Sequence, residues 1–366
     1  MRTSPTRFPL LLCFVIVAMH SPAQVFSLSN YFEENAQLEG KTDSIFNSLQ
    51  NSEKIAQLLM PAIGRLGQPE DTIRRYVQEG LIGGVLLLNG TKDQFSNWVK
   101  EFNAVNTDNG YLPFLYSADA EPSLVNAKIK NSAPVKRAID ITSREEVCSV
   151  AKSISNDLND IGINYNFAPV VDMSANKTVG YRGFGAHPEN IVPYSEAFIV
   201  TTQAQNIIAT AKHFPGHGLI SGDTHASLQV INGEMKELGI YPPLIDAGVL
   251  SIMIAHIAVR NNPRFDTKGL PATCSEVIVQ SLLRDSLHFE GIVVTDAMNM
   301  GGIAQIADAN TRCVQAGCDI LLMPKDIRKA HAELTAKYES SPEFKEKVDR
   351  AAHRIIRMKM CLGLIP

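Results

Sequence analysis

Five titratable side chains crowd into fourteen positions: Lys212, His213, His217, Asp223 and His225. They follow an apolar run, Asn206 to Ala211, which reads as a short buried strand. Pro215, Gly216, Gly218 and Gly222 then break any regular structure. A glycine-punctuated loop at a strand end is where binding and catalytic groups concentrate. His225 sits two residues from Asp223, so a carboxylate can set the proton affinity of its imidazole. Such a dyad can protonate a leaving group and later take a proton from water near neutral pH; the plainer reading is an Asp that holds a surface turn. Lys212 and His213 end the run and could donate to a hydroxyl-rich ligand, and a lysine there needs a partner if buried. His217, between two glycines, reads as a brace for the loop or a further site residue. Asp296 follows Ile292-Val293-Val294-Thr295. It either caps a helix starting at Ala297 or points into a site as a carboxylate nucleophile. His256, after Met253-Ile254-Ala255, fits a rim or a core position.

Positioning these groups requires a repeated scaffold. Apolar, β-rich runs recur at 58–63, 84–88, 114–118, 163–170, 207–213, 250–256, 291–295 and 319–323, each ending in turn or titratable residues. Helix-like stretches lie between them at 69–79, 94–102, 144–161, 193–205, 275–287 and 301–315, with a final helix at 344–362. Eight such units predict an α/β fold, a (β/α)8 TIM-type barrel in a single domain spanning residues 51–366. An open doubly wound sheet lacks support, because no Gly-x-Gly-x-x-Gly turn or Walker loop follows any run. In a barrel the chemistry sits at the C-terminal ends of the strands. Reading the residues just past each run gives Asn89, Asp119, Glu121, Asp172, Lys212, His213, His256, Asp296 and Lys325, with Arg182 in the long fourth loop.

The bulk composition is that of an ordinary globular protein: 366 residues, 45% hydrophobic and 20% charged. A net charge of −4 without a basic block argues against nucleic acid as a partner. Arg2 and Arg7 precede an apolar run from Phe8 to Met19, and Ser21-Pro22-Ala23 supplies a small-residue cleavage site before Gln24. Residues 1–23 are therefore read as a signal peptide. The expected location is periplasmic or secreted, with no membrane span after processing. Residues 24–50 read as a polar leader segment, helical in part from Asp43 to Ala56. Cys148, Cys274, Cys313, Cys318 and Cys361 remain after processing. Five is odd, no Cys-x-x-Cys occurs, and buried free thiols are the simplest reading, with a Cys313–Cys318 disulfide as the alternative. The sequence does not specify an oligomeric state.

On residue chemistry alone, a glycosidase with Asp296 as nucleophile fits. A metal hydrolase liganded by His213, His217, His225, His256 and an Asp also fits, although the first run lacks the His-x-His that many barrel metallohydrolases carry there. A sugar-binding barrel without catalysis is the non-enzyme alternative.

The run Lys212-His213-Phe214-Pro215-Gly216-His217-Gly218, then four residues, then Asp223-Thr224-His225, resembles the signature of glycoside hydrolase family 3. The similarity is closest to its bacterial β-N-acetylglucosaminidase branch, where Asp-Ser-His is usual. Phe167 to Asp172, Arg182-Gly183-Phe184-Gly185, Ile254 to Ile257, Gly291 to Met298 and Arg354 to Lys359 extend the resemblance over roughly residues 50–364. The resemblance implies a retaining exo-hydrolase that removes a terminal β-linked N-acetylglucosamine, with peptidoglycan fragments (muropeptides) as the expected carbohydrate substrate. It implies Asp296 as nucleophile, His225 tuned by Asp223 as acid/base, and Asp119, Arg182, Lys212 and His213 as sugar-binding residues, with neither metal nor cofactor. The β-glucosidases of the family are the alternative; they generally rely on further domains to complete their site. One motif departs. The family pattern Asp-x-Glu-Gly-Gly-Arg-Val-x-Arg reads Asp119-Ala120-Glu121-Pro122-Ser123-Leu124-Val125-Asn126-Ala127 here, without either arginine, and Lys128 or Lys130 are the nearest replacement cations. Leu219 and Ile220 replace a polar pair; they are candidates to meet the N-acetyl methyl group or an aglycone, and burial is the alternative. Because a neutral histidine does not repel anions, phosphate stays open as an acceptor in place of water.

Overall fold

The computed structural model describes residues 26–365 apart from residues 174, 175, 177 and 178. The signal-peptide reading of residues 1–23 lies outside the described residues. Seven strands form one parallel sheet, in the spatial order Ile292–Thr295, Ser251–Ile254, Ile208–Phe214, Tyr165–Asn166, Leu115–Ala118, Gly84–Leu87 and Ala62–Ile63. Neighbours in space are neighbours in sequence, and the connecting helices cover the sheet. The strands are short apolar runs because both faces are covered; every residue of Ile208–Phe214 is buried, Lys212 and His213 included.

The first run is split at Pro61, which has no N–H to donate. On one side of it Leu59–Met60 pairs in parallel with Leu321–Leu322, and on the other Ala62–Ile63 pairs with Leu86 and Leu87. Ile320 in turn bridges to Val294, and the Thr295 N–H donates to the Ile320 carbonyl at 3.0 Å. The outcome is an α/β protein built on a curled parallel sheet of seven strands, with the eighth expected run, at Leu321–Leu322, paired to Leu59–Met60 beside it.

The helix Arg144–Ile161 forms where its sequence places it. Ser143 accepts from the Glu146 N–H, Glu145 and Glu146 lie in the first turn, and Gly162 ends the helix at φ 94°. Val147, Val150, Ala151, Ile154, Leu158 and Ile161 recur every three or four residues and form its buried stripe. Two expectations change. Residues 24–50 are not a separate leader in the described part, since Phe26, Leu28, Tyr31 and Leu38 join the main core and Ala36–Ser48 packs along Pro342–Cys361. Arg357 fastens this join through the Tyr31 carbonyl and the Glu39 carboxylate. The helix expected over 301–315 is only Ala309–Ala316; residues 297–308 form turns. None of the described helices is long and apolar enough to cross a membrane. The five cysteines described are free, and Cys313 faces Cys274 (Sγ–Sγ 3.5 Å), so the Cys313–Cys318 disulfide does not form.

Candidate active site

The Ile208–Phe214 strand delivers Lys212 to the C-terminal end of the sheet with 1% of its side chain exposed. A buried ammonium is tolerable only when paired. Asp119 Oδ1 accepts from Lys212 Nζ at 3.0 Å, and Glu121 Oε1 lies 2.6 Å from the same nitrogen. Glu121, fully buried, also receives two bonds from Arg182, at 2.9 Å from Nε and 2.6 Å from Nη2. Lys128 Nζ donates to the second oxygen of Asp119 at 2.7 Å. Burial alone would depress Lys212, but Asp119 and Glu121 outweigh it and raise its pKa. Burial would likewise raise Asp119, yet Lys128 and Lys212 hold it far below the ordinary carboxylate range. Both shifts favour the charged forms of this pair.

His213 is oriented from behind. Asp172 Oδ2 lies 2.6 Å from His213 Nδ1, and the same carboxylate accepts the His217 backbone N–H at 2.8 Å. His217 Nε2 meets Thr224 Oγ1 at 2.9 Å, so His217 does brace the loop. Glu237 accepts the N–H groups of Met173, Gly218 and Leu219 at 2.7, 3.1 and 3.1 Å, tying the fourth loop to the histidine loop. Burial and the neighbouring Asp172 push the Glu237 carboxyl up to about 7. The glycines are required by this close packing: a Cβ on Gly218 would lie 1.8 Å from the Met173 carbonyl oxygen, and one on Gly216 would strike Glu237 Cβ at 2.6 Å.

Asp296 follows the Ile292–Thr295 strand and accepts the Ala297 N–H at 2.8 Å. No α-helix begins there, so capping is not its role. Burial would raise its carboxyl, but His213 and His256 outweigh that and lower it, which keeps it ionised. His256 is fully buried between Thr273 Oγ1 (2.9 Å) and the Ala297 carbonyl (3.1 Å), and burial lowers its pKa, so it belongs to the support of Asp296 rather than to an open rim. Asp223 Oδ1 lies 2.8 Å from His225 Nδ1, and the His225 backbone N–H leads the interactions that lower the Asp223 pKa.

A cavity of about 440 Å³ brings these groups together, lined by Asp119, Arg182, Lys212, His213, His225 and Asp296. Six of the seven residues picked out by sequence thus face one space, and Asp223 reaches it through His225. Lys128 also lines it, with its ammonium bonded to Asp119. Leu219 and Ile220 do not; they line a separate cavity of about 450 Å³, with Ile220 buried and Leu219 exposed. Of the histidines in the metal arrangement, His213, His217, His225 and His256 each have one ring nitrogen bonded, to Asp172, Thr224, Asp223 and Thr273 in turn. Among the described residues, the grouping with ligand atoms close enough for an ion is Glu39, Asp43 and His353, on the terminal helices. Sequence reasoning missed Glu237 and Thr224 and did not foresee that Glu121 would be the hub between Arg182 and Lys212. The Glu237–Met173 and Glu121–Arg182 contacts are long-range and have no local signal, whereas the His217–Thr224 bond lies within one loop.

A curled parallel α/β sheet thus carries a carboxylate, a carboxylate–histidine dyad and a hydrogen-bonding rim together at its C-terminal end. The chain belongs to glycosyl hydrolase family 3: the model of its N-terminal domain matches residues 51–358. It is 30% identical over 310 residues to a β-N-acetylglucosaminidase/β-glucosidase of Cellulomonas fimi, covering 79% of this chain and 54% of the relative. It is 30% identical over 266 residues to a β-hexosaminidase of Vibrio cholerae, covering 68% and 77%. The structure of a family 3 β-N-acetylglucosaminidase from Paenibacillus superposes with a TM-score of 0.79 at 28% identity, covering 87% of this chain and 63% of the other. That of a β-N-acetylhexosaminidase from Beutenbergia cavernae gives 0.75 at 27%, covering 84% and 98%. The chain spans about half the length of the first curated relatives it matches.

Proposed function

We propose that this protein is a retaining exo-glycosidase that releases terminal β-linked N-acetylglucosamine. The observation that carries the reading is the shared cavity, lined by both Asp296 and His225, with Asp223 bonded to the His225 ring. Asp296 attacks the anomeric carbon and forms a covalent glycosyl-enzyme while His225 protonates the departing oxygen; His225 then removes a proton from water as it attacks the same carbon and frees Asp296. Asp223 holds the imidazole in the productive orientation. Asp119, Arg182, Lys212 and His213 bind the sugar hydroxyls. The pairings running from Leu59 through Leu321 to Ile320 and Val294 support a closed (β/α)8 barrel as the scaffold. The names of the Vibrio cholerae and Beutenbergia cavernae relatives support N-acetylglucosaminides, while that of the Cellulomonas fimi relative covers glucosides as well. The apolar run and small-residue site of residues 1–23 support export, and with it peptidoglycan fragments as substrate.

Aryl N-acetyl-β-glucosaminide should be cleaved in preference to aryl β-glucoside, and a fluorinated activated glycoside should leave its mass on the peptide containing Asp296. A preference for the glucoside, or a label on another carboxylate, overturns the reading. Product analysis with and without inorganic phosphate identifies the acceptor as water or phosphate.

A further inference from the structure

We propose that the Gly301–Gly302 turn is the dock that sets the position of the acid/base histidine. The proposal rests on the His225 reading above. Asp223 and His225 have 49% and 62% of their side chains exposed, so packing does not fix them. Their backbone is what is held. The Gly301 N–H donates to the His225 carbonyl at 2.9 Å, and the Gly302 N–H donates to the Thr224 carbonyl at 2.9 Å. His217 adds the one bond to the Thr224 hydroxyl. The donors lie five and six residues beyond Asp296, on the same segment, and Met300 N–H folds that segment back onto the Ala297 carbonyl at 3.0 Å. The proton donor is thus mounted on the nucleophile's own loop. One short turn fixes the spacing between the two groups that must act on opposite sides of one bond.

Glycine is needed at 301 for contact rather than for conformation. Its φ lies outside the left-handed region, so alanine suits the backbone. A Cβ there would lie 2.3 Å from the Ala226 carbonyl oxygen and 2.7 Å from that of His225, both backbone atoms that cannot rotate away. At Gly302 the nearest contacts are milder, 3.0 Å to His256 and 3.1 Å to the Thr224 carbonyl. Gly301→Ala must therefore move the loop, while Gly302→Ala moves it less. Neither residue touches the rim of buried charges.

The test compares Gly301→Ala, Gly302→Ala and His225→Ala on two substrates, a dinitrophenyl N-acetyl-β-glucosaminide and chitobiose. An undocked acid/base shows as a split between them, because only the poor leaving group needs protonation. Gly301→Ala is expected to lower kcat/KM for chitobiose by about 10²–10³-fold and for the activated substrate by less than about tenfold. Added azide should accelerate turnover of the activated substrate, giving glycosyl azide, as it should for His225→Ala. Gly302→Ala should show the same pattern more weakly. Equal losses on both substrates with no azide effect, or no loss at all, overturn the dock. If His225→Ala itself shows no split, the acid/base reading falls instead, and the control identifies it. Amide exchange tests the dock separately. The Gly301 and Gly302 amides should be protected in the wild-type protein, and rapid exchange of both would overturn the proposal whatever the kinetics.

Discussion

The two halves of the site are built by opposite means. The rim of Asp119, Glu121, Arg182 and Lys212 is an ion network in which Glu121 and Lys212 are almost wholly buried, each polar atom answered by another. The Asp223–His225 dyad is an exposed pair on a loop held by backbone contacts. A sugar-binding rim gains from rigidity, since hydrogen bonds aimed beforehand lose little on binding. A group that must donate and then accept a proton gains from contact with water. The same glycine-rich stretch supplies both, Lys212 and His213 from its strand end and Asp223 and His225 from its far side. The nucleophile comes from neither: Asp296 arrives from a strand two places further along the sheet order.

The largest effect should come from Asp296→Ala. Removing the covalent path is expected to lower kcat by about 10⁴-fold or more for every substrate, while binding of N-acetylglucosamine persists. Retained turnover would show that the ionised carboxylate in the cavity is a support rather than the nucleophile. Next is Lys212→Met, which probes the buried half. It leaves Asp119 and Glu121 without their shared ammonium, a change expected to destabilise the fold by about 3–5 kcal/mol. Urea unfolding measures it, and a loss below about 1 kcal/mol would mean that Arg182 and Lys128 carry the network alone.

This contrast explains what could be read from the sequence. Lys212, His213 and Asp296 were legible because each ends an apolar run, and strand ends are local features. The Asp223–His225 pair was legible because its spacing is two residues. The hub at Glu121 was not, since its partner Arg182 lies 61 residues away. Nor was Glu237, whose surroundings in sequence are an ordinary polar turn and whose three N–H partners come from two distant loops. The helix expected from residue 301 is interrupted instead at Asp308, whose φ of 55° is left-handed, so the helical run is confined to Ala309–Ala316.

The exposed half should respond differently to mutation. His225→Ala is expected to lower kcat/KM on chitobiose by about 10²–10⁴-fold. Its unfolding free energy should stay within about 0.5 kcal/mol of wild type, because the side chain packs against nothing that would be missed. The pair of measurements sharpens the comparison: Lys212→Met should lose both activity and stability, His225→Ala activity alone. If His225→Ala also loses several kcal/mol, the loop is part of the packed structure and the two halves are not built differently.

Glu237 lies between the halves, and its effect should be the smallest and the most dependent on pH. Its carboxyl is raised from an ordinary value of 4.5 to about 7 by burial and by Asp172. Below about pH 4.5 the group is protonated in folded and unfolded chains alike, and the full stability is present. Between about 4.5 and about 7 the folded chain keeps the proton that the unfolded chain has lost, so stability falls as pH rises. The fall is complete above about pH 7 and amounts to at most about 3 kcal/mol. Glu237→Gln should remove this contribution, since a glutamine keeps an acceptor oxygen for the Met173 and Gly218 N–H groups but has no proton to lose. Urea unfolding at pH 5 and pH 8 should therefore show a steeper loss in the wild type than in the variant. Parallel losses in the two proteins would place the titrating group elsewhere and leave Glu237 as a neutral-pH tie between the loops.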